Sequence, residues 1–235
     1  HGIGVPLLEG YGQTECAGVS HTNPPGGNKI GTVGIPLPGV ECALASDNEI
    51  LVRGPSVFCG YLHNEKATQD TIDEDGWLHT GDIGSIDEEG YLRITGRKKE
   101  IIITAGGKNL SPEKIENQLK LSSYIKEAVS IGDKRKFISA LVQIDYEAVG
   151  DWASRKGIPY TSFEDLVAKS QTEDLIRHEV EAANESLAQV EQVRAFRLFT
   201  KELHQDDGEL TPTQKVRRRA VVEIHSQLIE SMYGV

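Results

Sequence analysis

The sequence predicts an α+β fold, a small antiparallel β-subdomain followed by a compact mixed α/β domain. Three observations carry that expectation. Residues 30–95 hold short strand-forming runs separated by glycine and Asx turns, the pattern of β-hairpins. Beyond Gly96, apolar residues recur at helical as well as strand spacing. Charge changes at the same place. Residues 1–96 carry 4 Lys/Arg and 14 Asp/Glu, net −10, whereas residues 97–235 carry 21 and 22, net −1. Such asymmetry marks a domain boundary, and the basic groups after it suit a polyphosphate partner. Solvated helix faces rich in Lys and Glu account for part of it.

Residues 1–28 are loop-rich, with YGQTE (Tyr11 to Glu15) between glycines and an irregular Asn23-Pro24-Pro25-Gly26-Gly27 connection. Glu41–Ala45 and Glu49–Arg53 flank a Ser46-Asp47-Asn48 turn and read as a hairpin. Asn64–Ile72 is a short polar helix, and Ile83–Asp87 with Tyr91–Thr95 a second hairpin around Glu88-Glu89-Gly90. The apolar run Ile101-Ile102-Ile103 predicts a buried strand. Ser111-Pro112-Glu113 is a helix start, with Ile115 and Leu119 facing the core. Strands follow at Glu127–Ile131 and Ile138–Ile144. A helix from about Thr172 to Glu191 would place Leu175, Ile176, Val180, Ala183, Leu187 and Val190 on one stripe. Val193–Phe199 is a further strand, and a polar loop at Gln205–Glu209 precedes Leu210 to Lys215. One last helix would bury Val221, Ile224, Leu228 and Met232.

Composition narrows the class. The chain has 235 residues, 38% hydrophobic and 26% charged, values of a folded globular protein. No apolar run approaches the roughly 20 residues that a transmembrane helix needs. Cys16, Cys42 and Cys59 are widely spaced and odd in number, which favours reduced, cytosolic thiols over disulfides. The seven histidines form no HxH or HxxxH pair, which disfavours zinc. No basic stripe is interleaved with aromatics, which disfavours nucleic acid. The start, HGIGVPLLEG, lacks a basic n-region and an initiator Met, so it reads as the interior of a longer chain rather than a signal peptide.

Three stretches look chemical on their residues alone. Tyr11-Gly12-Gln13-Thr14-Glu15 offers a ring, a glycine, a hydroxyl and a carboxylate, able to meet a purine, a phosphate and Mg²⁺. Asp82 and Arg97, each on a glycine turn, could hold a ribose diol by charge-assisted hydrogen bonds; a surface ion pair fits the spacing equally well. Lys215, after Pro-Thr-Gln and before Arg217-Arg218-Arg219, could serve a phosphoryl centre or simply open a basic helix.

In order, YGQTE, GWLHTGD, ITGRKKEIIITAGGKNLSPEKIE and LTPTQKVRR resemble the adenylate-forming superfamily of acyl- and aryl-CoA synthetases, in wording nearest the long-chain fatty acyl-CoA branch. Many relatives have Ser-Gly before the catalytic lysine, where this chain reads Thr213-Gln214-Lys215. The resemblance implies that residues 1–96 end a large AMP-binding domain, 97–100 form a hinge and 101–235 form a mobile C-terminal lid. It implies that Tyr11 stacks on adenine beside Gly12, Thr14 contacts the α-phosphate and Glu15 binds Mg²⁺. Asp82 and Arg97 would hold the ribose, Lys99 would be the hinge, Gly106 and Gly107 would lie where the CoA arm enters, and Lys215 would be catalytic.

The implied reaction joins a fatty acid, ATP and CoA in a cytoplasmic enzyme, with room for peripheral membrane contact. A carrier-protein-loading acyl-AMP ligase and a non-catalytic nucleotide-binding module are the alternatives. The family's Gly/Ser/Thr-rich pyrophosphate loop and fatty-acid tunnel precede YGQTE and are not among these residues. The 235 residues are therefore expected to be a C-terminal portion that does not adenylate fatty acids alone.

Overall fold

In the computed structural model, residues 4–234 are described. The chain divides into two units, His1–Glu100 and Ile101–Val235, and each is built from its own core.

In the first unit, short strands β1 (Gly10–Tyr11), β2 (His21–Thr22) and β3 (Ile35–Pro36) make a small antiparallel sheet. A longer antiparallel meander follows: β4 (Glu41–Leu44), β5 (Glu49–Arg53), then helix α1 (Glu65–Thr71), then β6 (Leu78–Ile86) and β7 (Leu92–Arg97). The Asn64 side chain caps α1 by accepting from Ala67 N–H at 3.1 Å. Alternation buries Ile50 and Val52 of β5, which join Cys16, Val33, Leu78 and Leu92 in one core. The register of β6 on β7 sets Asp82 directly opposite Arg97, and an irregularity between Ile83 and Gly84 follows at once. Irregularities of this kind re-aim side chains beside functional sites.

The second unit opens with β8 (Ile102–Ile103), β9 (Asn109–Leu110) and helix α2 (Pro112–Leu119), which has Pro at its first position. Strands β10 (Ile125–Ile131) and β11 (Ile138–Ile144) pair antiparallel. Helices α3 (Tyr146–Arg155), α4 (Phe163–Val167) and α5 (Ser170–Glu185) then cross over to β12 (Val193–Leu198), which lies parallel to β11. Helices α6 (Arg218–Ile224) and α7 (Ser226–Tyr233) close the unit. Every residue of β11 is buried. Ile138, Ala140, Val142 and Ile144 face the core shared with α2, α3 and α5, whereas Leu141 joins Phe199, Val221, Ile229 and Met232 on the other side. A sheet covered on both faces explains an unbroken apolar run, and each such Leu or Ile contributes roughly 1.5–3 kcal/mol.

The α+β class holds, with local departures. Ile101–Ile103 is not a buried strand throughout: β8 has two residues, and Ile103 is 50% exposed. Helix α5 stops at Glu185, short of Glu191, because the Asn184 side chain leaves the helix pattern to bracket β12, accepting from Val193 N–H at 2.8 Å and donating to Val193 O at 2.9 Å. Leu187 still packs in the core, while Val190 is 49% exposed. The single last helix is two, broken at His225, whose ring turns inward to Glu209. Ile229 rather than Ile224 is the buried isoleucine there. Helices α3 and α4 were not foreseen, although Asp145 and Ser162 cap them by accepting from Ala148 N–H at 2.9 Å and Asp165 N–H at 3.2 Å.

Candidate functional site

In the first unit the Thr-Gly-Asp turn gathers most of the chemistry. Asp82 is buried, and its Oδ2 accepts from the Tyr11 hydroxyl at 2.6 Å. Gln13 Nε2 donates to Tyr11 Oη at 3.1 Å, to Thr80 O at 3.1 Å and to Asp82 Oδ2 at 3.4 Å. Arg97 Nε lies 3.2 Å from Asp82 Oδ1 across the β6–β7 ladder. Burial, then the Asp82 hydrogen bond, push the Tyr11 phenol above its ordinary range, so it stays a donor. A carboxylate offers about four acceptor positions. Among the described residues, Tyr11, Gln13 and Arg97 account for three of them.

Beneath the turn lies Glu49, buried on β5. Its Oε1 accepts from Gly81 N–H at 3.0 Å, and its Oε2 meets His79 Nδ1 at 3.1 Å and Lys98 Nζ at 3.0 Å. Lys98 N–H also donates to Gly81 O at 2.8 Å, closing the turn from the other side. Burial alone would raise the Glu49 pKa, but bonds from His79, Lys98 and Gly81 outweigh it and hold the carboxyl below the usual range. Gly81 has φ +72°, a left-handed conformation that glycine adopts without strain.

Glu15 sits on a single 3₁₀ turn, Thr14–Cys16. Its Oε1 accepts from the Tyr61 hydroxyl at 2.7 Å, and this bond raises the Tyr61 phenol. Its other oxygen has no hydrogen-bond partner among the described residues. That fits a share in Mg²⁺, which takes one or two carboxylates together with substrate phosphates. No group of three or more His, Cys, Asp and Glu able to hold a metal occurs among the described residues. Thr14 is exposed. Gly12 is demanded by the loop itself, since a Cβ there would fall 1.8 Å from Gly18 O.

In the second unit, Gly106 and Gly107 lie on the β8–β9 turn, held by Gly107 N–H to Thr104 O at 2.8 Å and Lys108 N–H to Thr104 Oγ1 at 3.2 Å. The two glycines differ. Gly107 has φ +72°, whereas a Cβ on Gly106 would meet nothing nearer than Thr104 Oγ1 at 3.9 Å. No contact among the described residues demands a glycine at 106. Lys215 is exposed on a tight hairpin closed by a Leu210–Val216 bridge, and its ammonium makes no hydrogen bond or ion pair among the described residues. Lys99 is exposed at the end of the first unit.

Tyr11, Asp82 and Arg97 are thus brought together, while Glu15 has its own partner. Sequence reasoning missed Gln13, Glu49, Tyr61 and Lys98. Gln13 and Lys98 stood inside the YGQTE and GRKK motifs and could have been singled out. Nothing in the sequence links Glu49 to a turn 32 residues away.

Comparison with known proteins adds the family. Residues 99–235 match the model of the AMP-binding enzyme C-terminal domain, and residues 1–62 match that of the AMP-binding enzyme. A long-chain-fatty-acid–CoA ligase of Mycobacterium bovis is 44% identical over 99% of this chain and 39% of its own length. Long-chain-fatty-acid–CoA ligase 6 of Homo sapiens is 39% identical over 99% of this chain and 35% of its own. The chain therefore spans well under half of these relatives. Among solved structures, o-succinylbenzoate coenzyme A synthetase of Bacillus subtilis in complex with ATP and magnesium ion has a TM-score of 0.67 at 25% identity, covering 92% of this chain and 41% of that one. The adenylation domain of a carboxylate reductase from Mycobacterium chelonae has a TM-score of 0.76 at 21% identity over 97% of this chain and 35% of its own, a likeness of fold.

Proposed function

Since this chain belongs to the AMP-binding enzyme family, we propose that it is the C-terminal portion of a long-chain fatty acid–CoA ligase. The fatty carboxylate attacks the α-phosphorus of ATP, forming a mixed anhydride as pyrophosphate leaves. The CoA thiol then attacks the acyl carbonyl, and AMP leaves as the thioester forms. The observation that carries this reading is the likeness, over 99% of this chain, to long-chain-fatty-acid–CoA ligases of Mycobacterium bovis and Homo sapiens.

Asp82 accepts from a ribose hydroxyl, with Arg97 and Tyr11 holding its carboxylate in place; the remaining acceptor position of Asp82 supports this. Tyr11 carries the adenine on its ring, Gly12 shapes the loop and Thr14 meets the α-phosphate. Glu15 would share Mg²⁺ with the phosphates, where the ion would neutralise charge on the leaving group. Lys215 bridges carboxylate and phosphate, and its uncommitted ammonium supports that use. In-line displacement depends on such positioning and charge stabilisation. Gly106 and Gly107 pass the CoA arm, and the second unit turns about Lys99 between the two steps. No helix among the described residues is long and apolar enough to cross a membrane. A cytoplasmic enzyme that meets its fatty acid at a membrane surface is part of the same reading.

In the full-length ligase, Lys215→Ala should lower fatty-acid-dependent ATP–pyrophosphate exchange roughly 10²–10³-fold. Unchanged exchange would overturn the role. Assay with CoA against a carrier protein decides the acceptor, and thioester on the carrier alone would replace the CoA reading.

A further inference from the structure

The hairpin that presents Lys215 stands on a carboxylate that the reaction does not use. Glu209 is fully buried. Its Oε1 lies 2.7 Å from His225 Nε2, and its Oε2 accepts from Lys201 Nζ and from His204 N–H, both at 3.1 Å. Burial would raise its pKa, yet these bonds hold it below the usual carboxylate range. The backbone of the same residue starts the hairpin. Glu209 O accepts from Arg217 N–H at 2.8 Å, the Leu210–Val216 bridge follows, and Thr211 N–H donates to Lys215 O at 2.8 Å. Lys215 N–H donates to Thr211 Oγ1 at 3.0 Å.

The outgoing limb is clamped as well. Arg218, three residues after Lys215, pairs through Nη2 with both oxygens of buried Glu116 at 2.7 and 2.8 Å. Glu116 also accepts from Ser130 N–H at 2.7 Å and Ser130 Oγ at 2.9 Å. Apolar side chains of similar volume usually serve stability as well as a buried ion pair does. Two buried carboxylates around one exposed lysine therefore speak for fixed geometry rather than for stability alone.

We propose that Glu209 is a positioning residue for Lys215: tied to His225 and Lys201, it fixes the base of the 209–217 hairpin and thereby the point from which the ammonium reaches the reacting phosphate. This rests on the role of Lys215 given above. Backbone hydrogen bonds close together transmit the constraint, because the residue that holds Arg217 N–H is the one whose side chain is anchored. Misplacing a catalytic group by about 1 Å costs up to roughly 10²-fold in rate. A role in holding the unit folded would weaken everything the unit does; a positioning role weakens the step that uses Lys215.

The test uses the full-length ligase and its two half-reactions. One is fatty-acid-dependent ATP–pyrophosphate exchange. The other is thioester formation from added fatty acyl-AMP and CoA, which needs the second unit but not Lys215. Glu209→Gln should lower the kcat of exchange roughly 10–100-fold, with the KM for ATP unchanged and thioester formation at the wild-type rate. Wild-type exchange, or equal losses in both half-reactions, would overturn the proposal. If Glu209→Gln does not fold, His225→Gln is read in the same way: a smaller loss confined to exchange supports the proposal, and an equal loss in both or none overturns it. Lys215→Ala runs beside them. Should it leave exchange intact, the role of Lys215 falls and this proposal with it; should it lower exchange while Glu209→Gln exchanges at the wild-type rate, only the positioning role falls.

Discussion

In the first unit, Glu49 lies under a glycine turn inside a four-stranded sheet and holds Gly81 N–H, His79 and Lys98. In the second, Glu209 lies at the base of a hairpin with a single bridge outside the named sheets, and holds His225, Lys201 and His204 N–H. Both are buried glutamates beneath a turn that presents a chemical group. They differ in what else orients that group. Asp82 belongs to a strand whose ladder already places it opposite Arg97, so Glu49 adds to an existing constraint. Lys215 belongs to a loop whose shape depends on side-chain ties. The lysine partners are alike, but the histidines differ, since His79 is 35% exposed at its side chain while His225 is 13% exposed. A partner near water rehydrates when its carboxylate is lost, and a buried one does not.

The sharpest way to break this comparison is to remove each glutamate. Glu209→Ala should cost the second unit about 3–5 kcal/mol, and Glu49→Ala should cost the first about 1–3 kcal/mol. The two tryptophans divide between the units, Trp77 in the first and Trp152 in the second. Urea midpoints followed in Trp152→Phe and Trp77→Phe backgrounds therefore report each separately. Equal costs would show that the sheet lends Asp82 no additional support.

Asp82→Asn comes next. Loss of a charged acceptor should weaken AMP binding by the full-length ligase by about 1.5–3 kcal/mol, measured calorimetrically, while the sheet stays folded. Undiminished affinity would remove Asp82 from the ribose site.

Acid should separate the units by a somewhat smaller amount. His21 is buried and its pKa falls from 6.5 to about 4, because burial disfavours the charged ring. A depressed folded pKa gives stability above the unfolded value that is lost as pH falls, here between about 6.5 and 4, at a cost of about 1–3 kcal/mol. Glu49 and Glu209 are also depressed, from 4.5, so their contributions are complete above that pH and fade below it. The first unit should therefore weaken at higher pH than the second. Coincident acid transitions of Trp77 and Trp152 would contradict this.

The smallest effect sharpens the role of the glycine loop. Gly106→Ala should change stability by less than about 0.5 kcal/mol, since its Cβ has room, yet raise the KM for CoA in the full-length ligase. Unchanged KM would detach Gly106 from the CoA path.

Much of the fold was legible. The hairpins around Asp47 and Glu88 follow from turn residues between alternating strands, and α2 from Ser111-Pro112, because turns and caps are local chemistry. The early stop of α5 was not legible, since Asn184 is captured by a strand that packs beside it in space. The parallel pairing of β12 on β11 escaped for a related reason, because nothing local records which strand a crossover rejoins. In the site, the motifs marked Tyr11, Asp82, Arg97 and Lys215 as chemical residue types on turns. They did not distinguish a ribose clamp from a surface ion pair.

The sequence by itself determined the class of fold, the boundary in charge near Gly96, the order of motifs that places the chain among AMP-binding enzymes, and the identity of the groups set out on turns. Those are properties of composition, spacing and local backbone preference. Only the tertiary structure decided that Asp82 is buried beside Tyr11 and Gln13, and that the Lys215 ammonium has no partner among the described residues while Glu209 holds His225, Lys201 and His204 N–H. Burial and pairing of charges depend on residues distant in sequence, 71 apart for Tyr11 and Asp82 and 16 for Glu209 and His225, and a carboxylate's worth to a site is set by which donors surround it.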